Sequence, residues 1–599
     1  MQNFVSTPAR FVQTALRHAD KPAYFVREAE GWKATTWNDH ADQVDAAARA
    51  LLALGVNPGD VVCVLGFNRP EWVIMDMAAM MIGAVPAGIY WTSPPNEIEY
   101  VLNHSCSPVL LVDSAERHQQ LVALRGQLPH LRQVVLMKGA VAAADALSWE
   151  AFMALGEARL QTLVERRLHE LQPGDPGTCI YTSGTTGPSK AVLLSHANLA
   201  WSAIALSQSL SATTQDRVIS YLPLAHVAEQ MISIHSPTLV GFPIYFARSL
   251  DELSEHLKEV RPTIFFGVPR VWEKMHAGIQ AKLAAATGVK KHLAAWALRV
   301  GQQWHGEVLD GRQPSAWLNW QKQWAGKLIH QKVKAAIGLD QAHMLSSGAA
   351  PIAADKLKFM TGLDLVIREV YGQSETCGAT SLSTPGATRI GSVGRPLKGV
   401  DMRVADDGEI MVRGPHIFQG YAGNAKATDE TMEDGWLRSG DLGHIDADGY
   451  LYITGRKKDL LITSGGKNIS PANIESDLMT VPLVEHAVVC GDGRHYLSAL
   501  LTVNQDALAA WAAASLVTGQ DLHRHPLVLE ALQRGIDEVN ARHARVAHIR
   551  KFSVLPGALS IEGGELTPTL KVKRKAVIDR YQHLVAAMYE EDKPAAMRA

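Results

Sequence analysis

Short β-rich runs alternate with helical patterns through most of this 599-residue chain. Val61–Gly66 (VVCVLG) reads as a buried strand and Pro70–Met81 as the helix after it. Val109–Asp113, Gln133–Met137 and Arg217–Tyr221 are further strand candidates, separated by long helical stretches. Such alternation predicts an α/β fold with parallel strands. From Asp401 the texture changes to short strands separated by DDG and ADG turns, a hairpin-rich pattern. A second α+β pattern runs from about Asp459, and Ala576–Tyr589 reads as an amphipathic helix.

Composition narrows the function classes. Lys plus Arg is 58 and Asp plus Glu is 60, a formal charge of −2, which argues against a nucleic-acid binder driven by bulk charge, though not against a local basic patch. The five cysteines are scattered without a CxxC pair, so neither a zinc ribbon nor a disulfide framework is expected. No basic start with an apolar run opens the chain, and Gln230–Ala247 is broken by Pro237 and Pro243. These features predict a soluble cytoplasmic protein.

One segment stands apart. Lys274 to Lys334 holds eight Lys and two Arg against Glu307 and Asp310, a net of +8, and five of the fourteen Trp. Trp317, Trp320, Trp324 and Leu328 recur at helical spacing. The expectation is a surface helical insertion whose Trp stripe packs on the core. The alternative is a face for a membrane surface, because basic residues beside Trp suit anionic headgroups.

The densest chemical signal is Tyr181–Lys190, YTSGTTGPSK, set between apolar runs as strand, loop and strand. Glycines let a backbone curl its N–H groups around phosphate oxygens. Ser183, Thr185 and Thr186 add hydroxyls and Lys190 adds a charge. A Walker A loop is excluded, because Lys190 is followed by Ala191. Four other segments fit the same chemistry: YLPLAHVAEQ with His226 and Glu229, LSSGAAP at Leu345–Pro351, EVYGQSET at Glu369–Thr376, and GWLRSGD followed by GYLYITGRKKDLLITSGGKNISP. A lone histidine is commonly structural. Glu375 is a hard oxygen ligand suited to magnesium, Asp441 suits a ribose diol, and Arg456 a phosphate or ribose. GQSET lacks the second Gly of a nucleophile elbow and no HExxH occurs, which excludes a serine hydrolase of that type and a zincin.

Together these strings resemble the adenylate-forming superfamily of acyl-CoA synthetases, luciferases and peptide-synthetase adenylation domains, from about Phe11 to Lys575. YLPLAHVAEQ, FFGVPRVWEK, the helical insertion and LTPTLKVKRK are most similar to long-chain acyl-CoA synthetases, including the bubblegum-type branch. The resemblance implies a large N-terminal domain, residues 1–456, of layered α/β subdomains with a small β-barrel-like region. It also implies a smaller mobile α+β C-terminal domain, residues 457–599, with a hinge at Lys458. It implies two half-reactions: a fatty carboxylate attacks the α-phosphate of ATP, and coenzyme A then takes the acyl group. The carrier-protein-loading fatty acyl-AMP ligase and a lipid-uptake protein with vestigial catalysis are the competing readings.

Site roles follow from the resemblance. Ser183, Gly184, Thr185, Thr186, Gly187 and Lys190 would hold the β- and γ-phosphates, and Glu375 would hold Mg²⁺. Gly348, Ala349, Glu369, Tyr371 and Gly372 would line the adenine site, with Tyr371 stacked on the ring. Asp441 and Arg456 would bind ribose, Thr376 the α-phosphate, and Lys571 would bridge carboxylate and α-phosphate during adenylation. His226 would sit near the carboxylate. Ser464, Gly465 and Gly466 would flank the pantetheine channel. Two departures stand out. Ser189 and Ala191 replace the Pro and Gly of many relatives, and Gln230 stands where some long-chain relatives carry a gating Trp. The implied partners are a fatty acid and coenzyme A, with peripheral contact at an inner membrane surface, self-association as a homodimer, and no nucleic acid.

Overall fold

The computed structural model describes residues 4–140, 145–182, 188–518, 521–567 and 571–590. Its central sheet runs Gly420–Tyr421, Lys190–Ser195, Pro176–Thr182, Val85–Ile89, Val61–Leu65, Val109–Val112, Gln133–Leu136, Ala146–Leu147. From Pro176–Thr182 to Ala146–Leu147 every pairing is parallel. Parallel strands are covered on both faces and therefore read as unbroken apolar runs. Alternate residues serve two cores: Val62, Val64 and Leu111 face one, and Cys63, Leu65, Leu110 and Val112 the other. The helix Pro70–Met81 buries every residue from Glu71 to Met81, so its apolar character runs all round.

A second sheet sets Ile264–Gly267, Met344–Ser347 and Ile367–Gln373 in parallel, then adds Gly378–Leu382 antiparallel. A third, of four strands, joins Val218–Ser220 and Ile244–Phe246 to the hairpin Pro22–Glu28/Gly31–Thr36. The hairpin-rich region after Asp401 forms an antiparallel sheet through Asp401–Val404, Glu409–Arg413, Trp436–Ile445 and Met432–Glu433. Leu451–Arg456 pairs with Trp436–Ile445. Closure would require the outer strands to pair with each other. Among the described residues they do not, so the expected barrel-like region is an open sheet.

The small C-terminal domain has a three-stranded sheet, Val484–Cys490, Leu497–Val503 and Ile549–Val554. The helix Pro526–Asn540 lays Val528, Leu532, Ile536 and Val539 on one face of it. The other face packs Leu555, Leu566, Val577 and Met588. The expected terminal helix is two, Arg574–Arg580 and Gln582–Glu590, divided at Tyr581.

The helical insertion is present as Pro269–Ala284, Gly288–Leu309, Ala316–Ala325 and Gln331–Ala336. Its expected packing is overturned in part. Trp296 and Trp304 turn inward, donating to Gln321 and Asn319 at 3.1 and 2.7 Å. Trp317, Trp320 and Trp324 stay 65, 49 and 46 % exposed. The helix Ala316–Ala325 buries Leu318 and Ala325 instead. Two faces of one short helix carry apolar residues at helical spacing, and periodicity alone does not say which one turns in.

Candidate active site

The strands Pro176–Thr182 and Lys190–Ser195, which flank the glycine- and hydroxyl-rich string in sequence, pair antiparallel with Thr182 opposite Lys190. Ser183, Gly184, Thr185, Thr186 and Gly187 lie outside the described residues. The far side of the turn is anchored from a distance. Ser189 donates through its hydroxyl to Glu97 at 3.0 Å, and Tyr100 donates to the Ser189 carbonyl at 3.0 Å. Serine in place of proline thus ties the loop to the helix Pro95–Ser105.

Lys190 and Glu375 meet on one aromatic residue that the sequence reading did not single out. Tyr421 pairs through its backbone with Val192 on the neighbouring strand. Its hydroxyl donates to Glu375 Oε1 at 2.7 Å, and the Lys190 ammonium stands 4.4 Å from its ring centroid. A Tyr in a GY pair beside a turn carries no signal of its own; only the strand pairing reveals it.

Across the cleft, register does the positioning. Asp441 and Arg456 are direct partners on adjacent strands. Arg456 Nε donates to Asp441 Oδ1 at 2.9 Å, and the Tyr371 hydroxyl donates to Oδ2 at 2.9 Å. Asp441 is buried, so its charge is held by these two donors. Gly348 closes the strand Met344–Ser347, where a Cβ would lie 2.7 Å from Val370 Cγ1. Ala349 follows with φ +71°, a left-handed conformation that L residues rarely hold and that clusters at functional turns. Gly372 answers a packing demand, since its Cβ would fall 1.7 Å from the Gly378 carbonyl oxygen. Glu369 directs its carboxylate to the Gly391 N–H at 2.8 Å, and burial pushes its pKa up to about 7.

Thr376 differs from expectation. Its hydroxyl accepts from Gln373 N–H at 3.0 Å and lies 3.1 Å from the Gln373 and Gly378 carbonyls, with no exposed surface. That side chain closes its own turn rather than opening toward a phosphate.

Lys571 enters from the C-terminal domain. Arg574, three residues on, grips Glu475 through two 2.6 Å bonds and the Val489 carbonyl at 2.9 Å. Thr567 and Lys571 exchange hydrogen bonds at 2.8 and 3.0 Å. The Lys571 side chain keeps solvent-exposed surface and is at the same time surrounded by protein atoms. Burial, then the Arg456 charge, push its pKa down to about 8, while Asp441 acts in the other direction. His226 lies within reach of the same charge. Burial and then Lys571 hold its pKa down to about 4. Its Nδ1 accepts from Ala228 N–H at 3.2 Å, which leaves the ring proton on Nε2. Glu229, buried and accepting from the Ser220 and Ser233 hydroxyls at 2.6 Å each, fastens this segment. Gln230 is fully buried and donates to the Leu224 carbonyl at 3.1 Å.

The structure therefore brings together His226, Tyr371, Asp441, Arg456 and Lys571. Ser464, Gly465 and Gly466 stand elsewhere, in an exposed turn. Ser464 bonds to Arg494 and His495 of its own domain. Lys458 lies exposed in the short turn Lys457–Asp459 between the domains.

The chain as a whole resembles known proteins. Residues 11–422 match the AMP-binding enzyme family, and residues 458–593 match the AMP-binding enzyme C-terminal domain. The chain belongs to the AMP-binding enzyme family. Among curated AMP-binding enzymes it is 34 % identical to the long-chain-fatty-acid–CoA ligase ACSBG2 of Xenopus laevis, over 97 % of this chain and 83 % of that one. It is 36 % identical to the long-chain-fatty-acid–CoA ligase FadD15 of Mycobacterium bovis, over 96 % of each. The fold matches the A domain of a carboxylic acid reductase from Segniliparus rugosus, in complex with AMP and a carboxylic acid. That TM-score is 0.73 at 17 % identity, covering 99 and 95 % of the two chains. It also matches the Bacillus subtilis o-succinylbenzoate coenzyme A synthetase in complex with ATP and magnesium, with a TM-score of 0.67 at 21 % identity, covering 94 and 98 %.

Proposed function

We propose that this AMP-binding enzyme is an ATP-dependent long-chain fatty acid–CoA ligase that forms acyl-CoA, AMP and pyrophosphate through an acyl-adenylate. The observation that carries the reading is Lys571, delivered by the C-terminal domain beside the Asp441–Arg456 pair and His226. The names of the two curated relatives support the substrate class. We place the division between domains after residue 456, with Lys458 as hinge.

The residues fit the nucleotide. Asp441, already gripped by Tyr371 and Arg456, offers carboxylate oxygens to a ribose diol, and the turn at Gly348–Ala349 admits a flat base. Among the described residues no cluster of three metal-binding side chains exists. Glu375 alone suits a magnesium ion that arrives on the nucleotide phosphates, since Mg²⁺ keeps water and phosphate ligands and needs few from protein. When bound, the ion offsets negative charge on the separating pyrophosphate.

In the first step the substrate carboxylate attacks the α-phosphate. Neutral His226 donates from Nε2 to a carboxylate oxygen without adding charge. Protonated Lys571 bridges carboxylate and α-phosphate oxygens as negative charge builds between them, where a low-dielectric cleft strengthens its effect. AMP is then a far better leaving group than oxide. In the second step the thiol of coenzyme A attacks the acyl carbonyl and AMP departs. The 464–466 turn, exposed in this arrangement, is the pantetheine strip that a domain rotation would present.

A mass-spectrometric product assay tests this. Purified protein receives ATP, Mg²⁺, coenzyme A and fatty acids of graded length. Acyl-CoA with AMP is the expected result. Acyl-AMP without thioester would instead indicate a carrier-protein-loading ligase, and no product from any acid would overturn the reading.

A further inference from the structure

Three tryptophans on one exposed helix face are left unused by the catalytic reading. Trp317 and Trp320 stack at 4.8 Å with planes 13° apart, and Trp324 meets Trp320 edge-on at 6.2 Å. Their exposures, 65 to 46 %, are high for a side chain that gains so much from leaving water. The Lys327 ammonium sits 5.8 Å from the Trp324 ring. Lys327 and Lys332, on the turns directly after the Trp helix, are exposed, and neither has a carboxylate partner among the described residues. By contrast Lys322 and Lys334 are drawn inward to Asp364 at 2.7 and 3.0 Å. Their pairing keeps the helix seated while the Trp face stays outward.

We propose that this face docks the protein on an anionic lipid surface, with the three indoles in the headgroup layer and the unpaired lysines on acidic headgroups. Indoles have an apolar body and one N–H donor, which suits the boundary between acyl chain and water. Charge decides the occupant. A second copy of this chain would set a segment of net charge +8 against itself, because a two-fold interface pairs like with like. An acidic lipid surface complements it. Single-stranded nucleic acid also stacks on aromatics, yet Trp317 and Trp320 already cover each other at stacking distance. The docking stands on geometry outside the cleft and holds whether or not the chain ligates fatty acids.

The test is vesicle sedimentation of the full-length protein, with phosphatidylcholine vesicles and with phosphatidylcholine/phosphatidylglycerol vesicles, at low and high salt. Wild type is expected to sediment with the acidic vesicles about tenfold more strongly than with neutral ones, less so at high salt. Trp317→Ser/Trp320→Ser/Trp324→Ser is expected to lose this binding, and Lys327→Glu/Lys332→Glu to weaken it about tenfold. Tryptophan emission should shift to the blue on acidic vesicles in wild type. Equal binding to both vesicle types, or triple-variant binding equal to wild type, would overturn the proposal. So would a concentration-dependent dimer, seen by ultracentrifugation, that the triple variant abolishes while vesicle binding is absent. Unchanged thermal unfolding of the charge-reversal variant keeps the result interpretable if the triple variant misfolds.

Discussion

At the scale of single residues, the proposed reaction relies on the ammonium charge of Lys571 in its first half. Lys571→Ala is expected to slow adenylate formation about a hundredfold to a thousandfold. Thioester formation from supplied acyl-AMP should be nearly unchanged; single-turnover assays of each half-reaction check this. Its pH dependence follows from the same group. Lys571 is charged below its pKa, so kcat/KM for adenylation should fall as pH rises through a midpoint between about 8 and the ordinary 10.5. Lys571→Arg should move that limb upward, since a guanidinium stays charged. Tyr421 gives a second prediction. Tyr421→Phe keeps the ring under Lys190 and removes the bond to Glu375. It should raise the Mg²⁺ concentration needed for half-maximal rate about fivefold, while calorimetric binding of metal-free ATP stays unchanged. Tyr421→Leu should weaken both.

At the scale of elements, the insertion is held by one half-buried carboxylate. Asp364 accepts from Lys322, Lys334 and His305 at 2.7, 3.0 and 2.9 Å. Burial alone would raise its pKa, but the His305 hydrogen bond and the two lysines outweigh it and hold the carboxyl well below its usual range. A carboxyl depressed on folding contributes stability above its unfolded pKa and loses it as pH falls through the folded one. The insertion should therefore stay clamped until strongly acid pH. Asp364→Ala strands two inward lysines and should cost about 3 kcal/mol, read from denaturant unfolding. This element also shows what was legible in the sequence. The basic, Trp-rich stretch and its helices could be read from spacing. Which face turns in could not, because Asp364 lies over thirty residues beyond Lys322 and decides it. The strand runs VVCVLG and VLLVD were legible because two-sided burial makes them continuous. Closure of the hairpin region was not, since it depends on pairing between strands distant in the chain.

For the whole molecule, the arrangement of the two domains is fastened by Arg270–Glu485 at 2.7 Å and Arg542–Asp355 at 3.2 Å. Both pairs are partly exposed, so each contributes no more than about 1 kcal/mol. That is enough to bias two arrangements of similar energy. Arg270→Ala/Arg542→Ala should slow adenylation about threefold to tenfold and leave thioester formation equal or faster. Stopped-flow measurement of the separate steps distinguishes this from general destabilisation, which would slow both. The motif strings singled out Tyr371, Asp441, Arg456 and Lys571, and the structure sets these four side chains near one another. They did not reveal Tyr421, the Glu97–Ser189 tie or these domain pairs, whose partners come together only through tertiary packing.

Lys571 and the 464–466 turn are carried by the same small domain, whose three-stranded sheet has apolar residues packed on both faces. A single rigid unit cannot press both against one reaction centre. On the proposed reaction, once the mixed anhydride exists, the amine that helped make it would have to withdraw before a thiol could be guided in. During that swing the cleft stands open and water is the competing nucleophile. The speed of the swing, relative to hydrolysis, then sets how many nucleotides are consumed for each thioester released. In such a protein the thrift of the reaction lies as much in the joint between two bodies as in any side chain of the active site.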